Sequence, residues 1–384
     1  MTRIELAELD DTGVRCELSA DQAAALGATG LVAPRPEGGG WWRLSPAGRA
    51  GAVRLPGLDV EVRPKVGIDR LMFLLGYARD PGFRPEDASA RTDAGLWPVL
   101  AESLARQAEQ ALRPGVLQGY VPVDEALPLV RGRIRFADQI ARRPGMPLPI
   151  EVRYDEYAPD IAENRILRTA LRRMLAVPRL PAGTRSRLTH LDGRLDGVRV
   201  LPPGAELPDW RPSRLNSRYL PVLRLASLIL RHQSADAGPG GESVAAFVVD
   251  MATVFEDFVT TALREALAGR PGHTAGQYRA HLDTGRRILI RPDVVHVVDG
   301  RPVAVFDAKY KLSLPNEDVY QMLAYCTALG LTAGWLVYAH GVPDGPLPVR
   351  HTGIEIVRHP LDLSAPPPAL LAQIGALADR AVSD

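Results

Sequence analysis

Two apolar runs, VVHVV and VAVF, flank the tetrapeptide DGRP between Val294 and Phe306, and both are apolar at odd and even positions alike. A strand with one wet face alternates; strands without alternation are covered on both sides. Asp299-Gly300 between them is a strong signal for a hairpin turn. The chain must therefore build a sheet with helices on both faces. Yet the open end of this hairpin is charged: Asp293 precedes the first run, and Asp307-Ala308-Lys309 closes the second. Burying two carboxylates and an ammonium is costly unless they pair or hold a metal. A purely structural ion pair between Lys309 and either aspartate also meets that requirement.

Register decides whether the two aspartates share a face. A two-residue turn at Asp299-Gly300 pairs Asp293 with Phe306 and sends Asp293 and Asp307 to opposite sides. A three-residue loop, Val298-Asp299-Gly300 with Gly300 left-handed, pairs Asp293 with Val305 and makes the aspartates diagonal neighbours on one face. The sequence reading expects the odd-length loop. Asp307 and Lys309, two positions apart, project to the same side.

Composition narrows the setting rather than the function. The 384 residues are 46% hydrophobic and 24% charged, as in soluble proteins of about two or three domains. A net charge of +1 means that a polyanion must be met by local patches or by metal ions. Cys16 and Cys326 form no CxxC pair, so neither a disulfide framework nor a zinc ribbon is supported. The N-terminus lacks an apolar signal core, and no run approaches the roughly 18 apolar residues that span a bilayer. A cytoplasmic protein without a membrane partner is expected.

Strands are expected near Arg3–Leu9, Val14–Leu18, Trp41–Leu44 and Leu58–Val62, and helices at about Ile68–Ala78 and Leu96–Leu112. Arg131, Arg133 and Arg135 have strand spacing and would share a face, either solvated or binding. From Asp155 the pattern turns helical, with Ile161, Ile166, Leu167, Ala170, Leu171 and Met174 on one stripe. Arg165, Arg168 and Arg172 line another side, in water or against phosphates. A proline-rich passage around Leu201–Pro212, a helix at Leu220–His232 and a flexible loop, SADAGPGGES, follow. The fold class read from this is mixed α/β. Residues 1–150 form a β-rich domain with helices, and 151–384 a second domain with a helical subregion at about 155–235.

Two helices flank the charged hairpin. DMATVFEDFVTTALREAL buries Met251, Val254, Phe255, Phe258, Val259, Ala262, Leu263 and Leu267, leaving Glu256 at the border of the stripe and Asp257 away from its centre. EDVYQMLAYCTALG turns Val319, Met322, Leu323 and Cys326 inward, with Gln321 and Tyr325 four apart on the adjoining edge. Each pattern alone is ordinary packing. Their order, helix with Glu, strand with Asp, strand with Asp-x-Lys, helix with Gln-x-x-x-Tyr, resembles the PD-(D/E)xK nuclease core in its RecB-like form. Six blocks in sequence, PKVGIDRLMFLLGYA, YDEYAPDIAENRILRTAL, VFEDFV, RPDVV, FDAKYK and YQMLAYC, resemble the McrC family, nuclease subunits of McrBC-type modification-dependent restriction systems. The likeness runs from about Pro64 to Tyr338.

That resemblance implies a restriction-endonuclease-like α/β/α domain and a metal-dependent endodeoxyribonuclease acting on double-stranded DNA. It implies Asp293 and Asp307 as paired metal ligands, the Ala308 carbonyl as a further oxygen, and Glu256 as the helix carboxylate. Asp257 replaces Glu256 if the helix is rotated. Hard oxygen ligands suit Mg²⁺, with Mn²⁺ as the substitute. Lys309 would orient or deprotonate the attacking water, and Gln321 and Tyr325 would lie beside the DNA backbone. Tyr310 and Lys311 belong to the matching block without an assigned role. The motor is expected in a separate McrB-like AAA+ GTPase hexamer that the N-terminal part engages and stimulates. This chain has no GxxxxGK[ST], HxH, HExxH or GxSxG. The competing readings are a non-catalytic activator of an AAA+ motor and a stand-alone RecB-like exonuclease.

Overall fold

From the N-terminus the chain lays down β1 (Thr2–Ala7), β2 (Val14–Glu17), α1 (Ala20–Thr29), β3 (Val32–Gly38), β4 (Trp41–Pro46), β5 (Arg49–Leu55), β6 (Leu58–Arg63) and α2 (Ile68–Arg79). The four strands expected here are present; β3, β5 and α1 are additional. Ser19 and Gln22 close a capping box at the start of α1, the local reason that helix begins where it does. Next come α3 (Leu96–Leu112), β7 (Gly119–Leu127), β8 (Arg133–Ile134), α4 (Phe136–Arg142), β9 (Ile150–Ala158), α5 (Ala162–Leu175), α6 (Ala182–Arg194) and α7 (Leu220–His232). The remainder is β10 (Gln233–Ala237), β11 (Ser243–Asp250), α8 (Met251–Ala266), β12 (His273–Gly276), β13 (Ala280–His281), β14 (Leu289–Ile290), β15 (Val294–Val298), β16 (Arg301–Lys309), α9 (Asn316–Leu329), β17 (Ala333–Tyr338), β18 (Gly345–Pro348), β19 (Glu355–Pro360) and α10 (Pro367–Val382). This computed structural model describes residues 2–8, 12–79, 81, 96–177, 179–237, 243–311, 314–339 and 341–382.

The architecture is mixed α/β in two units, Met1–Val99 with His232–Asp384, and Leu100–Arg231. A boundary at residue 150 differs from this division, because it falls at the start of β9 inside the second unit. In the first unit a five-stranded sheet of order β1-β6-β5-β11-β10 joins N-terminal strands to two that come much later. Gly51 permits the seam: its φ is +142°, and a Cβ there would lie 1.9 Å from the Phe247 carbonyl oxygen. Part of the expected loop SADAGPGGES is thus strand β10, paired antiparallel with β11, while residues 238–242 lie outside the described residues.

The second sheet of this unit has the order β12-β15-β16-β17-β19-β18, with β16, β17 and β19 parallel. Both faces are covered, as the unbroken apolar runs require. Val295, Val305, Leu336 and Tyr338 share a core with Met322, Tyr325 and Cys326 of α9. On the other parity Phe306 is fully buried, and the Tyr310 ring lies 6.0 Å from Phe255 of α8. Gly334 lets β17 approach α9, since a Cβ there would sit 2.5 Å from both Cys326 Sγ and Met322 Sδ.

The hairpin corrects the expected loop. Asp299 and Gly300 have φ of 51° and 76°, and Val298 pairs with Arg301, so the turn has two residues of type I′ character. The shift comes instead from a bulge. Val297 pairs with Pro302 but His296 pairs with Ala304, leaving Val303 extra on β16. Beyond it Val294 faces Phe306. One further step sets Asp293 directly opposite Asp307, on one face but not as the diagonal neighbour of an odd loop.

In the second unit β7 pairs with β9 along its full length and β8 adds a short third strand. The helical pattern expected from Asp155 starts later, because Asp155–Ala158 end β9. Ile166, Leu167, Ala170, Leu171 and Met174 of α5 are fully buried. Its arginines are paired within the unit: Arg165 with Asp160, Arg168 with Asp192, and Arg172, half exposed, also with Asp192. Arg131, Arg133 and Arg135 do not line one strand face either. Arg131 stacks 4.0 Å over the Tyr154 ring, Arg135 pairs with Asp138, and β8 is two residues long.

Candidate active site

Strand β11 runs straight into α8, and the Asp250 side chain caps the helix by accepting from the Ala252 and Thr253 amides at 3.0 and 3.1 Å. This fixes the helix rotation. Glu256 is half-buried on the side of the hairpin, whereas Asp257 lies 3.9 Å from Arg79. The helix carboxylate brought to the site is therefore Glu256.

At the hairpin's open end Asp293 is 8% and Asp307 2% exposed. Asp293 Oδ2 accepts from the Ala308 amide at 2.9 Å, so Ala308 enters the site through its N–H. Asp307 Oδ2 lies 2.5 Å from Lys309 Nζ, a charge-assisted pair in a nearly dry setting. Lys309 Nζ also donates to Gln321 Oε1 at 2.8 Å. Tyr325, four residues along α9 from Gln321, is buried and its hydroxyl donates to the Arg291 carbonyl at 3.4 Å. Asp293, Asp307, Lys309, Gln321 and Tyr325 are thus gathered at one sheet end.

Electrostatics follow from burial without enough donors. Burial raises the Asp307 carboxyl to about 7, and the Asp293 charge adds to the effect. Asp293 is raised by burial, against the pull of the Ala308 amide. Glu256 is raised by burial and then by neighbouring Asp257. Burial opposes the charge of Lys309, but the Asp307 carboxylate outweighs it, so the ammonium holds its proton more tightly than usual.

One residue at the centre escapes sequence reasoning. The Gln277 amide nitrogen donates both to Glu256 Oε1 and, at 3.2 Å, to Asp293 Oδ1. Neither hydrophobic period nor residue type marks Gln277; only its left-handed φ of 50° does, and sequence does not display that. Among the described residues no three acidic, histidine or cysteine side chains are set as a metal-ligand group. The donor set nonetheless suits a hard divalent cation: the buried Asp293 and Asp307 carboxylates, with the Glu256 carboxylate beside them. His296 is no competing ligand, its ring nitrogens lying 3.0 Å from Thr274 Oγ1 and the Pro271 carbonyl.

The two residues without an assigned role are anchors. The Tyr310 hydroxyl donates to buried Glu8 at 3.0 Å, and Lys311 pairs with Asp318 at 2.9 Å. Asp318 in turn accepts from the Tyr338 hydroxyl. Among the described residues no helix is long and apolar enough to cross a membrane.

Comparison with known proteins gives the fold a context. A chain of the half-complex from the tetradecameric assembly of Thermococcus gammatolerans McrB AAA+ hexamers with bound McrC matches with a TM-score of 0.62 at 18% identity. That match covers 99% of this chain and 100% of the other. The Thermococcus gammatolerans McrBC complex seen by cryo-EM matches with a TM-score of 0.42 at 18% identity, over 71% of this chain and 90% of that one. No curated protein matches. The model of the McrBC 5-methylcytosine restriction system component family matches residues 44–339, and that span, more than half of the sequence, makes the chain a member of this family.

Proposed function

We propose that this chain is the Mg²⁺-dependent endonuclease subunit of a modification-dependent restriction complex. It hydrolyses phosphodiester bonds of double-stranded DNA in the cytoplasm, coupled to a McrB-like AAA+ GTPase hexamer whose turnover it stimulates. The observation that carries the reading is Asp307: nearly inaccessible, set against the Asp293 carboxylate, with the Lys309 ammonium at 2.5 Å. Such buried, strongly shifted groups concentrate at functional sites. The order of elements around it matches a PD-(D/E)xK core.

Asp293 and Asp307 would hold the cation, with Glu256 the third carboxylate at the border. When bound, the ion supplies Lewis-acid polarisation of the phosphate and a lower pKa for the attacking water. The chain does the rest. The Ala308 amide holds one Asp293 oxygen and so aims the carboxylate. Lys309, beside Asp307, would orient or help deprotonate the attacking water and offset negative charge building on the phosphate. Gln321 holds Nζ in place.

The partner assignment draws support from the second unit. Tyr120, Leu129, Phe136, Ile140, Met146 and Tyr157 are all at least half exposed there, and the two tyrosine rings lie 5.3 Å apart. So many exposed large apolar groups within one short segment mark a protein-binding surface.

Substituting Asp307→Ala in the purified complex should lower DNA cleavage by at least about 100-fold. Cleavage at the wild-type rate would overturn the site. If Asp307→Ala and wild type both fail to cut under any divalent metal while GTP turnover is still stimulated, the chain is an activator alone.

A further inference from the structure

Gln277 sits where three constraints meet. Gly276 before it packs against α8, where an added Cβ would lie 3.0 Å from Thr260 Cγ2 and 3.3 Å from Arg264 Nη2. Its own N–H donates to the Asp293 carbonyl at 2.8 Å, and the next N–H donates to the Pro292 carbonyl at 2.9 Å. Its φ of 50° is a left-handed conformation that residues other than glycine seldom hold unless the surroundings impose it. The backbone is therefore pinned to the very strand that carries Asp293. From there the side chain reaches between Glu256 and Asp293, giving one amide hydrogen to each.

An amide in that place has two usable ends. Its NH₂ group gives one hydrogen to each carboxylate and so bridges the two. Rotation about the last side-chain bond exchanges NH₂ for a carbonyl oxygen of nearly the same size in the same position. A divalent cation held by the aspartates would repel the first end and attract the second, since amide oxygen is a hard ligand. On the basis of the metal-dependent reading above, we propose that Gln277 is a switching ligand: it bridges Glu256 and Asp293 through nitrogen, and binds the divalent cation through oxygen. The switch needs no backbone movement, which the pinned geometry would resist.

The test is Mn²⁺ binding to the full chain, by calorimetry and by the change in melting temperature, independent of cleavage. Gln277→Leu keeps the bulk and removes both polar ends; it should weaken Mn²⁺ binding about tenfold or more. Affinity equal to or tighter than wild type would overturn the proposal, leaving the amide a bridge only. Gln277→Glu gives a second reading if the leucine variant does not fold. It removes the two donated hydrogens and keeps an oxygen, so the metal-free protein should melt lower while the Mn²⁺-induced rise grows; an unchanged or smaller rise would overturn the proposal. Asp307→Asn separates the two levels of inference. If wild type binds no Mn²⁺, or Asp307→Asn binds it as well as wild type, the metal-site reading itself fails.

Discussion

Asp307 in the first unit and Asp160 in the second are both partly or wholly buried aspartates beside cations, and their surroundings drive them in opposite directions. Asp160 is partly buried, which alone would raise its pKa, but Arg165 grips both oxygens at 2.7 and 2.9 Å and Arg199 adds its amide and guanidinium. The outcome is a pKa of about 2. Asp307 is buried far more deeply, meets one ammonium and faces the Asp293 carboxylate, so burial prevails and its pKa rises to about 7. Saturated pairing makes a brace; incomplete pairing leaves capacity for a ligand. The arginines of α5, which read in sequence as a possible phosphate-binding face, belong to the first kind.

The comparison is open to attack at both ends. The largest effect should come from Lys309→Ala, which removes the cation beside Asp307 and should cut DNA cleavage by about 10²–10³-fold. Arg165→Ala, its counterpart, should leave cleavage within a few fold, and a matching loss would erase the distinction. Next is Arg168→Ala: it removes a buried guanidinium shared by Asp192 and the Val198 carbonyl, leaves Asp192 to Arg172, and should cost about 1.5–3 kcal/mol in denaturant unfolding, without changing Mn²⁺ affinity. The pH dependence of metal-free stability should separate the two aspartates by sign. Asp307 binds its proton more tightly when folded, so its contribution is lost as pH rises from about 4 towards about 7. Asp160 does the reverse, contributing above about pH 4 and losing that contribution as pH falls towards about 2. The pH dependence of the melting temperature should therefore flatten between about pH 4 and 7 in Asp307→Asn and below about pH 4 in Asp160→Asn. Smallest is Tyr325→Phe: a single long hydrogen bond to the Arg291 carbonyl is lost, at a cost of about 0.5–1 kcal/mol.

What the sequence made legible were the features carried by period and residue type. The stripe of α8 with Glu256 at its border, the inward face of α9, and the two doubly covered strands all follow from spacing, and all are observed. The register of the hairpin was not legible, because the bulge rests on Val303, a residue that any regular strand would accept. The Asp-Gly pair already announced the two-residue turn; what sequence lacked was the extra residue beyond it. Strand β10 was hidden for another reason: Gln233–Ala237 has no strand pattern of its own and is extended by pairing with β11. The same holds for Gln277, whose importance lies in a backbone angle and in two partners, Glu256 and Asp293, each 16 or more positions away. The arginine partners of α5 were equally invisible, since Asp192 lies 20 positions from Arg172.

The bond between Tyr310 and Glu8 spans 302 positions of sequence, and β11, which leads into α8, is flanked in its sheet by β5. A fragment that began at residue 151 would cast off both supports: the tyrosine after Lys309 would lose its acceptor, and the strand bearing the Glu256 helix would acquire a bare edge. The first strands are thus part of the frame that holds the candidate site, and a fragment without them would lack two of its supports.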